Sequence, residues 1–357
     1  MTGGRGKAVV RVLALVLVAL MALSCQSEAP ASRVPIGMTV HPRGADAANI
    51  ERQFELMAAM GVTWVRVDLA WAWMESQQGS LEWGYTDKVV EEATARGMKV
   101  LAVFSSTPQW ARPPDSGDDA ASNYVRPVDL TSYANFAGVA VERYAPRGVH
   151  HWEVWNEPNV NQFWPAKPDA DEYGRLFKVV AEAIRKADGE ATVLVGGLAP
   201  KYDESPNEES PFDYLERLYA NGTAQLADAI AVHPYTFPAL PMADKQRMVG
   251  GFKDLPDLRR VMVEHGDSDK KVWVTEYGAP TGTSSHAVSE EDQARALIEA
   301  RRQLAQWDWA GPLIYYELVD GGTDLSYDQD NFGVLRTNLE PKPAADALMQ
   351  AASGGGA

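Results

Sequence analysis

Eight times between Ile36 and Ala351 a short apolar run is followed by a longer stretch of helical period, and this alternation constrains the fold more than any other feature. The strand-like runs go from Ile36 to His41, Thr63 to Leu69, Lys99 to Phe104, Val149 to Trp155, Thr192 to Gly196, Asp228 to His233, Lys271 to Thr275 and Pro312 to Leu318. Each is rich in Val, Ile, Leu or aromatic residues and short enough for a strand buried on both faces. The amphipathic stretches after them lie at 47–60, 86–96, 130–144, 169–187, 211–220, 255–265, 289–306 and 341–351. The third opens at a helix cap, Asp129 or Thr131, and two others stop at Met60-Gly61 and Arg96-Gly97, which suits left-handed caps. Strict alternation of this kind predicts an α/β fold, a single (β/α)8 TIM barrel over residues 36–351. A doubly wound sheet is the alternative, but no Gly-rich phosphate loop follows the first strand.

Composition agrees with one large core, since 45% of the 357 residues are apolar. Lys and Arg number 33 against 49 Asp and Glu, for a net charge of -16, so nucleic acid is excluded as a partner for want of a basic footprint. Residues 1–25 read as a secretory signal: Arg5, Lys7 and Arg11 precede an apolar run from Val12 to Leu23, shorter than the roughly twenty residues of a bilayer span. Cys25, the only cysteine, resembles a bacterial lipoprotein acceptor, with Ala22 where Leu is usual. Lipidation there would make 26–35 a tether and hold an exported protein at the membrane through its lipid alone, while 352–357 reads as a frayed tail. With one cysteine there is no internal disulfide and no thiolate metal site.

Chemistry in such a barrel sits on the loops after the strands. The fourth strand ends in Glu153-Val154-Trp155-Asn156-Glu157-Pro158-Asn159 and the seventh in Trp273-Val274-Thr275-Glu276-Tyr277-Gly278. Two glutamates therefore reach one rim from strands that face each other across the mouth, where two carboxyl groups can flank a scissile bond. On a regular strand Asn156 and Glu157 would point to opposite faces, so a bulge or break is predicted there.

These two motifs resemble those of clan A glycoside hydrolases, most closely family 39 and related single-barrel bacterial exopolysaccharide hydrolases, and the likeness covers nearly the whole chain after the signal. It implies a retaining glycosidase that cleaves β-linked O-glycosidic bonds of an oligo- or polysaccharide by double displacement; two carboxylates and a water call for no cofactor or metal, and a monomer is expected. Carried onto this sequence, it makes Glu157 the general acid/base and Glu276 the nucleophile. Arg66 supports the nucleophile, Asn156 bonds the sugar 2-hydroxyl, Tyr235 donates to Glu276, and His233 orients the acid/base or bonds the sugar.

Sugar faces stack on aromatic rings, which singles out Trp71 and Trp73 after the second strand, Trp110 after the third, and Phe163 with Trp164 after the acid/base. Many clan members carry Trp at the end of the eighth strand, where this chain reads Tyr315-Tyr316-Glu317-Leu318; Tyr316, Glu317 and Asp320 are expected to contact the sugar instead. Long loops at 105–129, 201–210 and 236–251 are expected to wall the cleft. A metal-dependent barrel hydrolase is disfavoured, because the first strand offers His41 alone and His150 and His151 are adjacent. Two alternatives stay open: a carbohydrate-binding lipoprotein without activity, and a transglycosylase using the same glutamates.

Overall fold

In the computed structural model the described residues are 34–353, apart from 43, 118, 120, 203, 204 and 245–247. Cys25, the signal, nearly all of the tether and the last four residues lie outside them. Eight strands supply the barrel: β1 (Ile36–Val40), β2 (Trp64–Ala70), β3 (Lys99–Ser105), β4 (His151–Val154), β5 (Thr192–Val195), β6 (Ala229–Val232), β7 (Lys271–Tyr277) and β8 (Ala310–Tyr315). All pair in parallel with their sequence neighbours, and β1 closes the ring on β8. Outside them run α1 (Ala47–Ala59), α2 (Gly84–Ala95), α3 (Leu130–Tyr144), α4 (Ala170–Ala187), α5 (Pro211–Ala220), α6 (Leu255–Glu264), α7 (Glu290–Leu304) and α8 (Pro343–Ala352). The (β/α)8 barrel expected from the alternation is the fold observed.

Local chemistry explains where the helices begin and end. The side chains of Asp46, Asp129, Asp169, Ser210 and Ser289 accept hydrogen bonds from first-turn amides of α1, α3, α4, α5 and α7. Gly61 and Gly97, with φ of 72° and 68°, take the left-handed conformation that turns the chain back toward the next strand.

Alternation along the strands sorts the core into two parts. One face of the sheet packs under the helices, where Trp152, Val154, Val193, Val195 and Tyr315 are fully buried. The other face points inward, and a separate cluster of Trp64, Leu101, Leu194, Ala229, Ala231, Trp273 and Ile314 fills the barrel. Trp64 and Trp273 meet edge to face there at 5.0 Å. Two residues beyond these inward positions, on the same face, stand Arg66, His233 and Thr275; the plug thus carries the polar layer of the mouth.

Loops complete the rim. A two-stranded ribbon, Lys201–Tyr202 against Met248–Val249, ties the loop after β5 to the loop after β6. None of the helices among the described residues is long and apolar enough to cross a membrane.

Candidate active site

The polar layer is organised by a buried arginine. Arg66, 2% exposed, donates from Nε to Glu153 Oε2 at 3.2 Å, from Nη1 to Glu276 Oε1 at 2.5 Å and from Nη2 to Asn156 Oδ1 at 3.0 Å. Glu153 is wholly buried and also accepts from the Gly197 amide at 2.8 Å and from Thr275 at 3.3 Å. Burial opposes its charge, but Arg66 and His233 hold its carboxyl below the ordinary range. A buried carboxylate needs such partners, and here they come from β2 and β7 and from the residues just after β5 and β6.

Both rim glutamates get there through backbone irregularity. β4 ends at Val154, and Trp155 and Glu157 follow with φ of 73° and 43°. This break turns Trp155 outward into the core and lets the consecutive residues Asn156 and Glu157 both line the cleft. In β7 the pairing with β8 shifts between Val274–Leu313 and Tyr277–Tyr315, so three steps of β7 match two of β8. Thr275 and Glu276 consequently both reach the interior, the first onto Glu153 and His233 and the second onto Arg66.

Between the two glutamates lies His233, fully buried. Its Nδ1 is 2.7 Å from Glu157 Oε1 and 3.5 Å from Glu276 Oε2, and its Nε2 is 3.1 Å from Thr275 Oγ1. Burial disfavours its charge, yet Glu276, Glu153 and Glu157 together push its pKa up to about 9. Burial pushes the Glu157 carboxyl upward, helped by the Glu276 charge and opposed by His233. The Tyr235 hydroxyl donates to Glu276 Oε2 at 2.7 Å. Oxygen and nitrogen atoms of Glu157, His233 and Glu276 lie within 4.8 Å of one another, a spacing a cation would also accept. Arg66 and Tyr235 already occupy both Glu276 oxygens, however, and His233 and Glu157 occupy each other.

Space for the histidine depends on a glycine. A Cβ on Gly197 would stand 2.0 Å from His233 Nε2. Gly197→Ala is therefore expected to drive the ring off Glu157 and lower kcat by about 10²-fold, as misplacement of a catalytic contact does. Steady-state kinetics beside a thermal melt will separate this from unfolding.

The cleft above has a volume of about 530 Å³. Arg66, Asn156, Glu157, Tyr235, Glu276, Tyr316 and Trp73 line it, and His233 stands directly beneath. Glu317, 4% exposed, is beside it, bonded to His41 at 2.7 Å. Asp320 instead forms a buried ion pair with Lys342 at 2.7 Å. Of the aromatics expected on the walls, Trp73 (53% exposed) and Phe163 are there, but three are not. Trp71 is fully buried among Trp110, Tyr133 and Phe136, because the single helical turn Trp71–Met74 directs it and Trp73 to different sides. Trp110 packs edge-on against Trp71 and donates to the Glu75 carbonyl at 2.7 Å. Trp164 is fully buried against Trp155 and Tyr173.

The sequence reading did not single out several cleft residues: Glu153, Asp68, Tyr124, Tyr202, Glu208, Phe237, Gln329 and Phe332. All but Glu153 line the cavity, and His41, noted only as a lone histidine, lines it too. The three long loops do form walls, giving Tyr124, then Tyr202 and Glu208, then Phe237. Glu153 carried a usable signal, a glutamate set between the apolar residues Trp152 and Val154 on a buried strand.

A closed parallel barrel with paired carboxyl groups across its mouth is the architecture of barrel glycoside hydrolases of clan A. The chain belongs to one of their families: residues 28–311 match the sequence model of cellulase, glycosyl hydrolase family 5. A β-xylosidase from Geobacillus stearothermophilus is 30% identical over 286 residues, covering 74% of this chain and 54% of that protein. The chain thus spans about half the length of this relative. Among solved structures, a family 39 glycoside hydrolase from Bacteroides cellulosilyticus WH2 superposes with a TM-score of 0.69 at 24% identity, over 90% of this chain and 64% of that one. A monomeric β-xylosidase from Caulobacter crescentus CB15 gives 0.62 at 20% identity, over 88% and 66%. At such identities the likeness to family 39 is one of fold, and the family match is to family 5.

Proposed function

We propose that the chain hydrolyses β-linked glycosides with retention of configuration, Glu276 acting as nucleophile and Glu157 as general acid, then base. The observation that carries this reading is the approach of the Glu157 and Glu276 oxygens to within 4.8 Å. That suits a retaining pair, about 5 to 5.5 Å apart, and leaves no room for the water that inverting pairs hold across roughly 6.5 to 9.5 Å. Arg66 and Tyr235 each donate to one oxygen of Glu276, and burial together with the Glu276 charge pushes the Glu157 carboxyl upward, which suits it to bear the proton. Glu276 attacks the anomeric carbon as Glu157 gives its proton to the departing oxygen, which forms a glycosyl ester on Glu276. Glu157, now a carboxylate, takes a proton from water, and that water releases the sugar and regenerates Glu276. Asn156 accepts from Arg66 through its oxygen, which leaves its amide to donate to the sugar 2-hydroxyl.

The similarity to a β-xylosidase makes a β-xyloside the first substrate to try. The sequence around Cys25 supports an exported lipoprotein as the site of action. Hydrolysis of 4-nitrophenyl β-xyloside followed by proton NMR is the test, within a panel of aryl β-glycosides. Retention predicts β-xylose as the first product and a 2-deoxy-2-fluoroxylosyl adduct on Glu276 by mass spectrometry. First release of the α-anomer would overturn the reading.

A further inference from the structure

Resting on the hydrolase reading above, we infer that the cleft selects sugars without acidic groups, with Asp68 and Glu208 as the residues that turn away uronic acids and sulfated or phosphorylated sugars. The inference comes from how charge is distributed over the cleft. Asp68, Glu208 and Glu276 line it together with the proton-bearing Glu157; His233 lies beneath, bonded to Glu157 and Thr275, and the lining residues include two cationic groups, Arg66 and His41. Neither of these is available to an anionic ligand. Arg66 is shared between Glu153 and Glu276 and is 2% exposed.

His41 is held in the same way on the other wall. Its Nδ1 is 2.7 Å from Glu317 Oε2 and its Nε2 is 3.3 Å from Asp68 Oδ2. Burial works against its charge, but the hydrogen bonds to Asp68 and Glu317 outweigh that and hold the imidazolium. The ion cluster still carries more acids than bases, and Asp68 remains a quarter exposed toward the cleft. Glu208 faces the cleft from the loop after β5; burial pushes its carboxyl up, Ser205 and Lys201 pull the other way, and its Oε2 is buried with no hydrogen-bond donor on it. Asn159 fixes that loop beside the acid/base segment: its side chain bonds the Ala199 and Glu209 carbonyls and the Ala199 amide at 2.8 to 2.9 Å. One acid therefore stands on β2 and another next to the Glu157 loop, so a carboxylate on a sugar bound between them meets like charge. Like charge set against the wrong ligand discriminates alongside contacts made to the right one.

The test compares 4-nitrophenyl β-glucoside with 4-nitrophenyl β-glucuronide, which differ by a hydroxymethyl against a carboxylate. The unmodified chain is expected to favour the glucoside by roughly 100-fold in kcat/KM, and Asp68→Asn to narrow that gap by about tenfold. Glu208→Gln, on a separate loop, should narrow it in the same direction. Titrating both compounds into the Glu276→Gln chain, which lacks the nucleophile, reads the same preference by calorimetry without turnover. Equal handling of the two compounds, or a gap that neither substitution moves, would overturn the charge argument. A preference in binding without cleavage of any glycoside would keep the selectivity and instead refute the hydrolase.

Discussion

Glu276→Gly is expected to lower kcat on an aryl β-xyloside by roughly 10⁴- to 10⁶-fold, the scale on which removal of a covalent nucleophile is felt. Added azide should restore part of the rate and give the α-glycosyl azide, since it enters where the carboxylate stood and displaces the leaving group once. Glu157→Ala should behave differently. A substrate with a good leaving group still glycosylates Glu276 there, and azide then attacks the ester to give the β-azide. Product anomers read by NMR assign the two roles, and the same azide anomer from both variants would refute the division of labour. Electrostatics supplies a second readout. The Glu276 charge helps hold the Glu157 proton, so Glu276→Gln should move the titration of Glu157 downward, visible in carbon-13 carboxyl shifts against pH.

The second large effect concerns Arg66. Arg66→Met strips the cation from Glu153 and Glu276 together and is expected to cost about 3 to 5 kcal/mol, the penalty of leaving a buried charge unpaired. The dependence on pH fixes the cause. In the parent chain Glu153 titrates below its unfolded value, so its contribution is present above the ordinary carboxylate pKa and lost as pH falls. In the variant its folded pKa rises above the unfolded one, so the loss is greatest near neutrality and shrinks on acidification. Urea melts at several pH values test this. Adding Glu153→Gln to Arg66→Met should recover part of the stability, and activity should stay low because Glu276 still lacks its donor.

The barrel was legible in the sequence because burial on both faces leaves strands as plain apolar runs and eight repeats admit few architectures. The two rim glutamates were legible for a related reason: an acid ending an apolar run at a known rim has few structural uses. The aromatic walls were legible only in part, through Trp73 and Phe163. Trp71 and Trp73 differ in fate because one helical turn lies between strand and loop, and Trp164 is buried because Trp155 turns outward first. A tryptophan that seals a core and one that stacks on a sugar have the same signature until the backbone is placed. Glu153 was missed because its partner, Arg66, comes from a distant strand, and only the closed ring puts them together.

The extra residue in β7 also affects what the fold tolerates. Below it, Trp273 belongs to the apolar plug; above it, Glu276 belongs to the chemistry, and the two keep different phase with β8. A one-residue deletion between Val274 and Tyr277 would make the pairing there regular and leave a single inward place between them, so Thr275 and Glu276 could not both face the interior. Regular pairing at this point is therefore incompatible with the site, and lineages that keep the chemistry must keep the irregularity, however freely the plug beneath is repacked.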